Sequence, residues 1–359
     1  MSPSNKDLST ELQDQVNAAL ADNTPLCISG GNTKHWYGNL PQGKTLSVAE
    51  HRGIINYEPT ELVVTARAGT PLRDIEVALQ ADNQLLPFEP PHFGEQATLG
   101  GTVACNFSGP ARPYAGSARD LVLGCKIING KGEILSFGGE VMKNVAGYDV
   151  SRLMAGSLGT LGVLLEVSLK VLPRPEHELT LVMEMNATQA IEQMCELALM
   201  SLPITAACHH AERLYLRLSG SSAAVEKART RLTGEVLDSG TDFWAKLREQ
   251  ELDFFRHGDL WRLSVATDTP VMGLEGKWLY DWGGAQRWFT SVQNPAAIRS
   301  VAEQVGGHAT LFRSTDQAAR KNGQIFHPLD KGLMRYHRQL KAAFDPQGIF
   351  NPQRMYAGY

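Results

Sequence analysis

Residues 138–175, GGEVMKNVAGYDVSRLMAGSLGTLGVLLEVSLKVLPRP, decide how this chain is read. Gly156, Gly159 and Gly162 recur at every third position. Side chains missing at that spacing bare one edge of the backbone, so a flat or anionic ligand can approach main-chain N–H groups closely. The apolar, β-branched run Val163–Leu172 follows directly and reads as a strand buried on at least one face. A glycine shelf that leads into a core strand suits a large cofactor.

Working outward, Leu121–Ile128 and Glu133–Ser136 read as a hairpin turning at Asn129-Gly130-Lys131-Gly132. Nearer the N-terminus, Leu8, Leu12, Val16, Ala19 and Leu20 fall on one face and predict a helix over 6–22, closed by Asn23 and Thr24. A strand over Pro25–Ser29 then meets a tight loop at Gly30-Gly31-Asn32-Thr33, and short strands are expected near 45–48, 54–57 and 62–67. Pro71–Asp82 has helical spacing with proline in the first turn, whereas 86–118 is rich in Gly and Pro and is expected to lack regular structure.

Beyond Pro173-Arg174-Pro175, a plausible domain boundary, come strand 179–185, helix 188–200, strands near 204–218 and helix 222–233. That β-α-β-β-α order fits an antiparallel sheet carrying helices on one face. Trp244, Trp261, Trp278, Trp282 and Trp288 crowd 241–289 and fit either core packing or an interface. Lys331–Phe344 predicts a last helix, ended by Asp345-Pro346.

The chain has 359 residues, 43% hydrophobic and 20% charged, with a net charge of −4. This is the composition of an ordinary globular protein with room for two domains, and it argues against nucleic acid as a partner. No stretch approaches the roughly 20 apolar residues that span a bilayer, and the polar N-terminus lacks a signal-peptide core. Cytoplasmic residence is the default, with peripheral attachment through a partner left open. Cys27, Cys105, Cys125, Cys195 and Cys208 are scattered without a C-x-x-C pair, so they read as small buried thiols rather than an iron–sulfur or zinc site.

Two further glycine segments accompany the first: CISGGNTK at 27–34, after a strand, and ATLGGTVACNFSG at 97–109. Neither ends in Gly-Lys-Ser/Thr, and neither has the strand–glycine–helix order of a Rossmann unit. Gly30, Gly31 and Asn32 can form a nest for a pyrophosphate. Thr98–Cys105 reads as a turn entering a short helix, whose first N–H groups would favour phosphate oxygens.

The succession of the Gly-Gly loop, ATLGG…N…G, Gly-Tyr-Asp, GSLGTLGVLLEVSLKVLP and a late DPQGIFNP resembles the vanillyl-alcohol-oxidase/PCMH class of FAD proteins. VMKNVAGYDVSRLMAGS, FDPQGIFNPQRMY and the compact length make the chain similar to the FAD-binding E-subunit family of bacterial glycolate oxidase (glycolate dehydrogenase). The resemblance implies an α+β fold: a PCMH-type FAD-binding domain of two α+β subdomains over 1–175, an α+β cap domain with an antiparallel sheet over 176–330, and a segment over 331–359 that returns to the first domain.

It also implies FAD as cofactor, held by Ile28, Ser29, Gly30, Gly31, Asn32, Thr33 and Lys34, by Thr98, Leu99, Gly100, Gly101, Ala104 and Asn106, by Gly156, Gly159, Leu161, Gly162 and Val163, and by Asn351, with Gly116 and Asp120 at the start of the next strand. Asn32 occupies the place where covalently flavinylated relatives carry histidine, which implies a noncovalent flavin. The implied partners are a larger FAD-containing catalytic subunit, an iron–sulfur subunit and glycolate.

Oxidation of a 2-hydroxy acid needs a base for the hydroxyl proton and a cation for the carboxylate. The metal-binding His-x-Gly-Asp-Gly-Asn and Glu-His-Gly patterns of catalytic relatives are absent, and Leu158 stands at their acidic position. His92 beside the second glycine segment is a candidate to line the site, and Lys143 and Tyr148 fit either cofactor contact or packing and turn roles. His308, followed by Arg313, fits a hydrogen-bonded structural histidine better than a catalytic base, and His209-His210 and Arg335–Arg338 fit structural or solvated roles better. No catalytic residue stands out. A self-sufficient FAD oxidoreductase, with site residues from 204–217 or 306–313, and a non-catalytic scaffold are the competing readings.

Overall fold

The structure, a computed structural model, describes residues 5–139, 149–314, 317–322 and 324–358. In the first half, α1 (Ser9–Ala21) is followed by β1 (Leu26–Ser29) and β2 (Lys44–Ser47), which pair in parallel, then by β3 (Ile54–Glu58), β4 (Val63–Arg67), α2 (Leu72–Ala81) and β5 (Gln84–Leu85). Next come α3 (Leu99–Cys105), the single turns α4 (Arg112–Ala115) and α5 (Ala118–Leu121), β6 (Val122–Ile128), β7 (Ile134–Gly138), α6 (Val150–Met154), β8 (Val163–Lys170) and β9 (Leu172–Pro173). The sheet order β3-β4-β8-β6-β7 makes the strand after the glycines the central one. Val163, Leu165, Val167 and Leu169 are fully buried along it.

The hairpin turns where expected, because Asn129 Oδ1 accepts from the amides of Lys131 (2.9 Å) and Glu133 (3.0 Å). The expectation for 86–118 is corrected: that segment carries α3 and α4 and ends on the first residue of α5. Its glycines do not prevent α3, because Thr98 caps the helix and Gly100 packs against Ala68, where a Cβ would stand 2.7 Å from the alanine methyl.

The second half contains β10 (His177–Glu184), α7 (Ala187–Ala198), β11 (Ile204–His210), β12 (Arg213–Gly220), α8 (Ser222–Arg229), β13 (Glu235–Val236), α9 (Gly240–Arg248), β14 (Leu260–Ser264), β15 (Lys277–Asp281), β16 (Gln286–Thr290), α10 (Pro295–Gln304), β17 (His308–Arg313), α11 (Gln317–Lys321) and α12 (Lys331–Phe344). Its strands form one antiparallel sheet in the order β13-β10-β12-β11-β15-β16-β14-β17. Trp261 and Trp288 on this sheet and Trp244 on α9 are buried, so three members of the tryptophan-rich segment serve as core.

The chain end folds back onto the first half. Leu26 N donates to Ile349 O at 2.7 Å and Asn351 N donates to Leu26 O at 2.9 Å, extending the β1 edge. Buried Lys341 ties this return down: its Nζ donates to Thr160 O, Phe350 O and Asp345 Oδ2, each at 2.7 Å. A buried ammonium is tolerated only with its protons satisfied in this way.

Candidate cofactor site

The main chain runs out of partners just after β1. Among the described residues, none accepts a hydrogen bond from the amides of Gly30, Gly31, Asn32, Thr33 or Lys34, whereas the next amide, His35 N, donates to Asn32 O at 3.1 Å. Asn32 has φ +58, and a left-handed residue inside such a run turns successive N–H groups toward one point, the geometry of an anion nest. The two glycines exist because of a close approach. A Cβ on Gly30 would lie 2.4 Å from Thr98 Oγ1, and one on Gly31 would lie 1.5 Å from Gln96 O. The first and second glycine segments therefore lie against each other.

The expected phosphate field at the start of α3 is corrected. Its first amides are already used: Leu99 N donates to Thr70 O (2.9 Å), Gly100 N to Ala68 O (2.8 Å) and Gly101 N to Thr98 Oγ1 (3.3 Å).

The third segment supplies the wall rather than the cradle. Gly156 N donates to Val103 O (3.0 Å) and Leu158 N to Ala104 O (2.9 Å), which latches the segment to the end of α3. Gly159, at φ +70, leaves room for Asn351, whose Nδ2 would stand 2.7 Å from a Cβ there. Asn351 uses both ends of its amide, accepting from Ile28 N at 2.7 Å and donating to Leu158 O at 2.6 Å. Leu158 itself has φ +52 and faces the cavity.

These pieces enclose a groove of about 590 Å³. Of the residues expected from sequence, Ile28, Ser29, Gly30, Gly31, Asn32, Thr33, Lys34, Thr98, Gly101, Ala104 and Asn351 line it. Leu99, Gly100, Asn106, Gly156, Gly159, Leu161, Gly162 and Val163 stand outside the lining. Asn106 accepts from Arg119 N, Leu161 and Val163 belong to the core, and Gly162 sits 2.9 Å, at its Cβ position, from Ile128 O. Gly116 and Asp120 are also outside the lining, and Asp120 caps α5 through Ser117.

Sequence reasoning missed Arg354, which is 7% exposed and lines the groove, donating from Nη1 to Asn39 O at 2.8 Å. Its only signal was its place, just beyond Asn351 in the returning tail. Cys27 and Cys105 also face the groove rather than serving purely as core thiols. Lys34 Nζ donates to His92 O at 3.1 Å, and burial pushes its pKa below the ordinary lysine value. Lys34 and Arg354 together give the cavity two cations beside its free amides, a set that fits a pyrophosphate-bearing dinucleotide.

The remaining candidates lie elsewhere. The His92 imidazole meets Glu76 Oε1 at 3.1 Å, so its carbonyl and not its ring serves the groove region. His209 Nε2 meets Met185 O at 2.9 Å, and His308 stacks edge-on to His327. Arg313 donates to Gln250 Oε1 at 2.7 Å and lies over the Trp36 ring. Lys143 and Tyr148 lie outside the described residues. Among the described residues no helix is long and apolar enough to cross a membrane.

The two-sheet α+β architecture and the amide-lined groove define an FAD-binding protein of the PCMH type. Residues 8–138 match the FAD binding domain model. The glycolate oxidase subunit GlcE of Escherichia coli (strain K12) is 52% identical over 352 residues, covering 98% of this chain and 98% of that one. The chain belongs to the glycolate oxidase subunit GlcE family. A D-lactate dehydrogenase of Anaerostipes hadrus is 37% identical over 44% of this chain and 33% of its own length. In fold, the chain resembles alkyldihydroxyacetonephosphate synthase, with a TM-score of 0.65 at 16% identity over 98% of this chain and 75% of the other.

Proposed function

We propose that the chain is the FAD-binding subunit of an assembly that oxidises glycolate to glyoxylate and passes the electrons to an iron–sulfur partner. The observation that carries this reading is the run of unpartnered amides at Gly30–Lys34 inside a groove with two buried cations, in a chain so similar over its whole length to a glycolate oxidase subunit. Residues 1–175 form the FAD-binding domain, 176–330 the cap, and 331–359 the segment that closes the groove from behind. Bound FAD supplies a two-electron acceptor for the CH–OH carbon.

The residues of this chain hold and orient the cofactor. The amides of Gly30–Lys34 cradle the pyrophosphate, Lys34 and Arg354 offset its charge, and Ala104, Cys105 and Leu158 give the ring system an apolar wall. Asn351 fixes the spacing of Ile28 and Leu158 on either side. Asn32 offers no nucleophilic imidazole at the first loop, so the flavin is held without a covalent bond. The partners are a larger FAD-containing subunit and an iron–sulfur subunit, with any membrane attachment made through them.

Reconstitution tests this directly. An assembly lacking this chain should not reduce an artificial acceptor with glycolate, and FAD-loaded chain should restore the rate. Equal restoration by chain stripped of FAD overturns the reading.

A further inference from the structure

A second cavity, of about 390 Å³, lies between the large sheet and the stretch Phe107–Pro110 that follows α3. The groove and this cavity adjoin across the end of α3, since Cys105 lines one and Phe107 the other. Its floor is set by strand register. Asp281 pairs with Gln286, and Leu279, Trp288 and Arg262 are aligned across β15, β16 and β14. Residues two apart on a strand share a face, so Asp281, Gln286, Trp288 and Arg262 all point toward the cavity that they line.

Two of these side chains are unusual for a core. Arg262 donates to the Tyr37 hydroxyl at 3.2 Å and stacks over Phe312, but no carboxylate among the described residues pairs with it. The other lining arginine, Arg248, is already bound to Glu249 at 2.8 Å. Asp281 is 3% exposed and has no cation partner among the described residues; it accepts from Trp282 N (2.7 Å), Gln286 Nε2 (3.1 Å) and the Trp288 side chain. A buried carboxylate without a counter-charge is costly, and it shares one cavity with a half-buried guanidinium that no carboxylate pairs with among the described residues.

We propose that this cavity binds a small 2-hydroxycarboxylate, with Arg262 holding the carboxylate and Asp281 hydrogen-bonded to the hydroxyl. The assignment rests on the glycolate reading above and adds to it a place on this chain. A guanidinium fork matches a carboxylate in geometry and charge, and a carboxyl group can accept from or donate to an α-oxygen according to its protonation. Burial raises the Asp281 pKa to about 7, so the site changes charge near neutral pH. Facing Asp281 are Glu89, itself paired with Arg217 at 2.7 Å, and the neutral side chains Tyr114 and Cys208. A neutral Asp281 does not repel an arriving anion, so binding is favoured below pH 7.

The test uses FAD-loaded full-length chain and calorimetric titration with 2-hydroxyisobutyrate, which has no hydrogen on the hydroxyl-bearing carbon to lose as hydride. Isobutyrate and ethylene glycol serve as half-ligands. The hydroxy acid should bind more tightly than either, and several-fold more tightly at pH 6 than at pH 8. Arg262→Gln should weaken it at least tenfold, and Asp281→Asn should flatten the pH profile, with flavin absorbance unchanged in both. Arg262→Lys provides a second reading if the glutamine variant does not fold, and should also bind more weakly because it lacks the fork. Unchanged affinity in a folded Arg262 variant, or no binding by wild-type chain that retains FAD, overturns the proposal. Absence of FAD from the wild-type chain instead strikes the reading on which it rests.

Discussion

Two cavities of this molecule, the groove beside β1 and the one across α3, are built in opposite ways. The groove beside β1 is made of main chain: a loop whose amides from Gly30 to Lys34 find no protein acceptor among the described residues, pressed against Gln96 and Thr98 because two side chains are missing. The cavity across α3 is made of side chains from α9, four strands and the 107–110 turn, and no glycine spacing announces it. A backbone site is written locally, since a Cβ would occupy it. A side-chain site depends on strands brought together only by the fold.

That contrast can be broken at the groove first, where the largest effect on FAD affinity is expected. Gly31→Val places a Cβ on top of Gln96 O, so the loop must leave its position. FAD affinity should fall by about a hundredfold or more, near 3 kcal/mol, while circular dichroism stays close to wild type. Titration with FAD followed by flavin fluorescence checks it.

The side-chain region should respond in the other currency, stability. Phe312 packs edge-on or tilted against Trp36, Tyr37, Phe107 and Trp288 at ring distances of 4.8–5.4 Å. Phe312→Ala should cost about 3–5 kcal/mol in denaturant unfolding, with FAD affinity changed only a few-fold. A large loss of FAD affinity with stability intact would erase the distinction between the two regions.

Asp281 sharpens it through pH. Its folded pKa, about 7, lies above the ordinary carboxyl value, so the folded state holds this proton where the unfolded state has released it. Its favourable contribution is complete below the ordinary carboxyl range and is lost as pH rises through 7. Asp281→Asn should therefore gain on the wild type between pH 5 and pH 8 by on the order of 2 kcal/mol, read from paired unfolding curves. An effect of similar size belongs to the latch shared by fold and groove. Asn351→Asp keeps the acceptor for Ile28 N but turns a carboxylate oxygen toward Leu158 O, at a cost of about 1–3 kcal/mol. Stability and FAD affinity should drop together in that variant.

Much of the scaffold was legible for the same reason as the groove. The 129–132 turn, the central strand after Gly162 and the Gly30-Gly31 loop all carry local signals of turn chemistry, apolar run or missing side chain. What was not legible was decided by distant partners. The first amides of α3 look free in sequence, yet they are taken by Thr70, Ala68 and Thr98. Gly159 reads as a flavin contact, yet its bareness makes room for Asn351, far along the chain. Arg354 drew no reading from sequence, because only the tail folding back beside β1 brings it to the groove. Arg262 and Asp281 carried no signal, because their meaning comes from a register spanning three strands.

The central claim is that bare amides and two buried cations hold one flavin, and the flavin content of the purified wild-type chain tests it most directly. The account predicts one FAD per chain, released intact on denaturation and taken up again at the same ratio. Folded protein that is colourless and takes up no added FAD would contradict it.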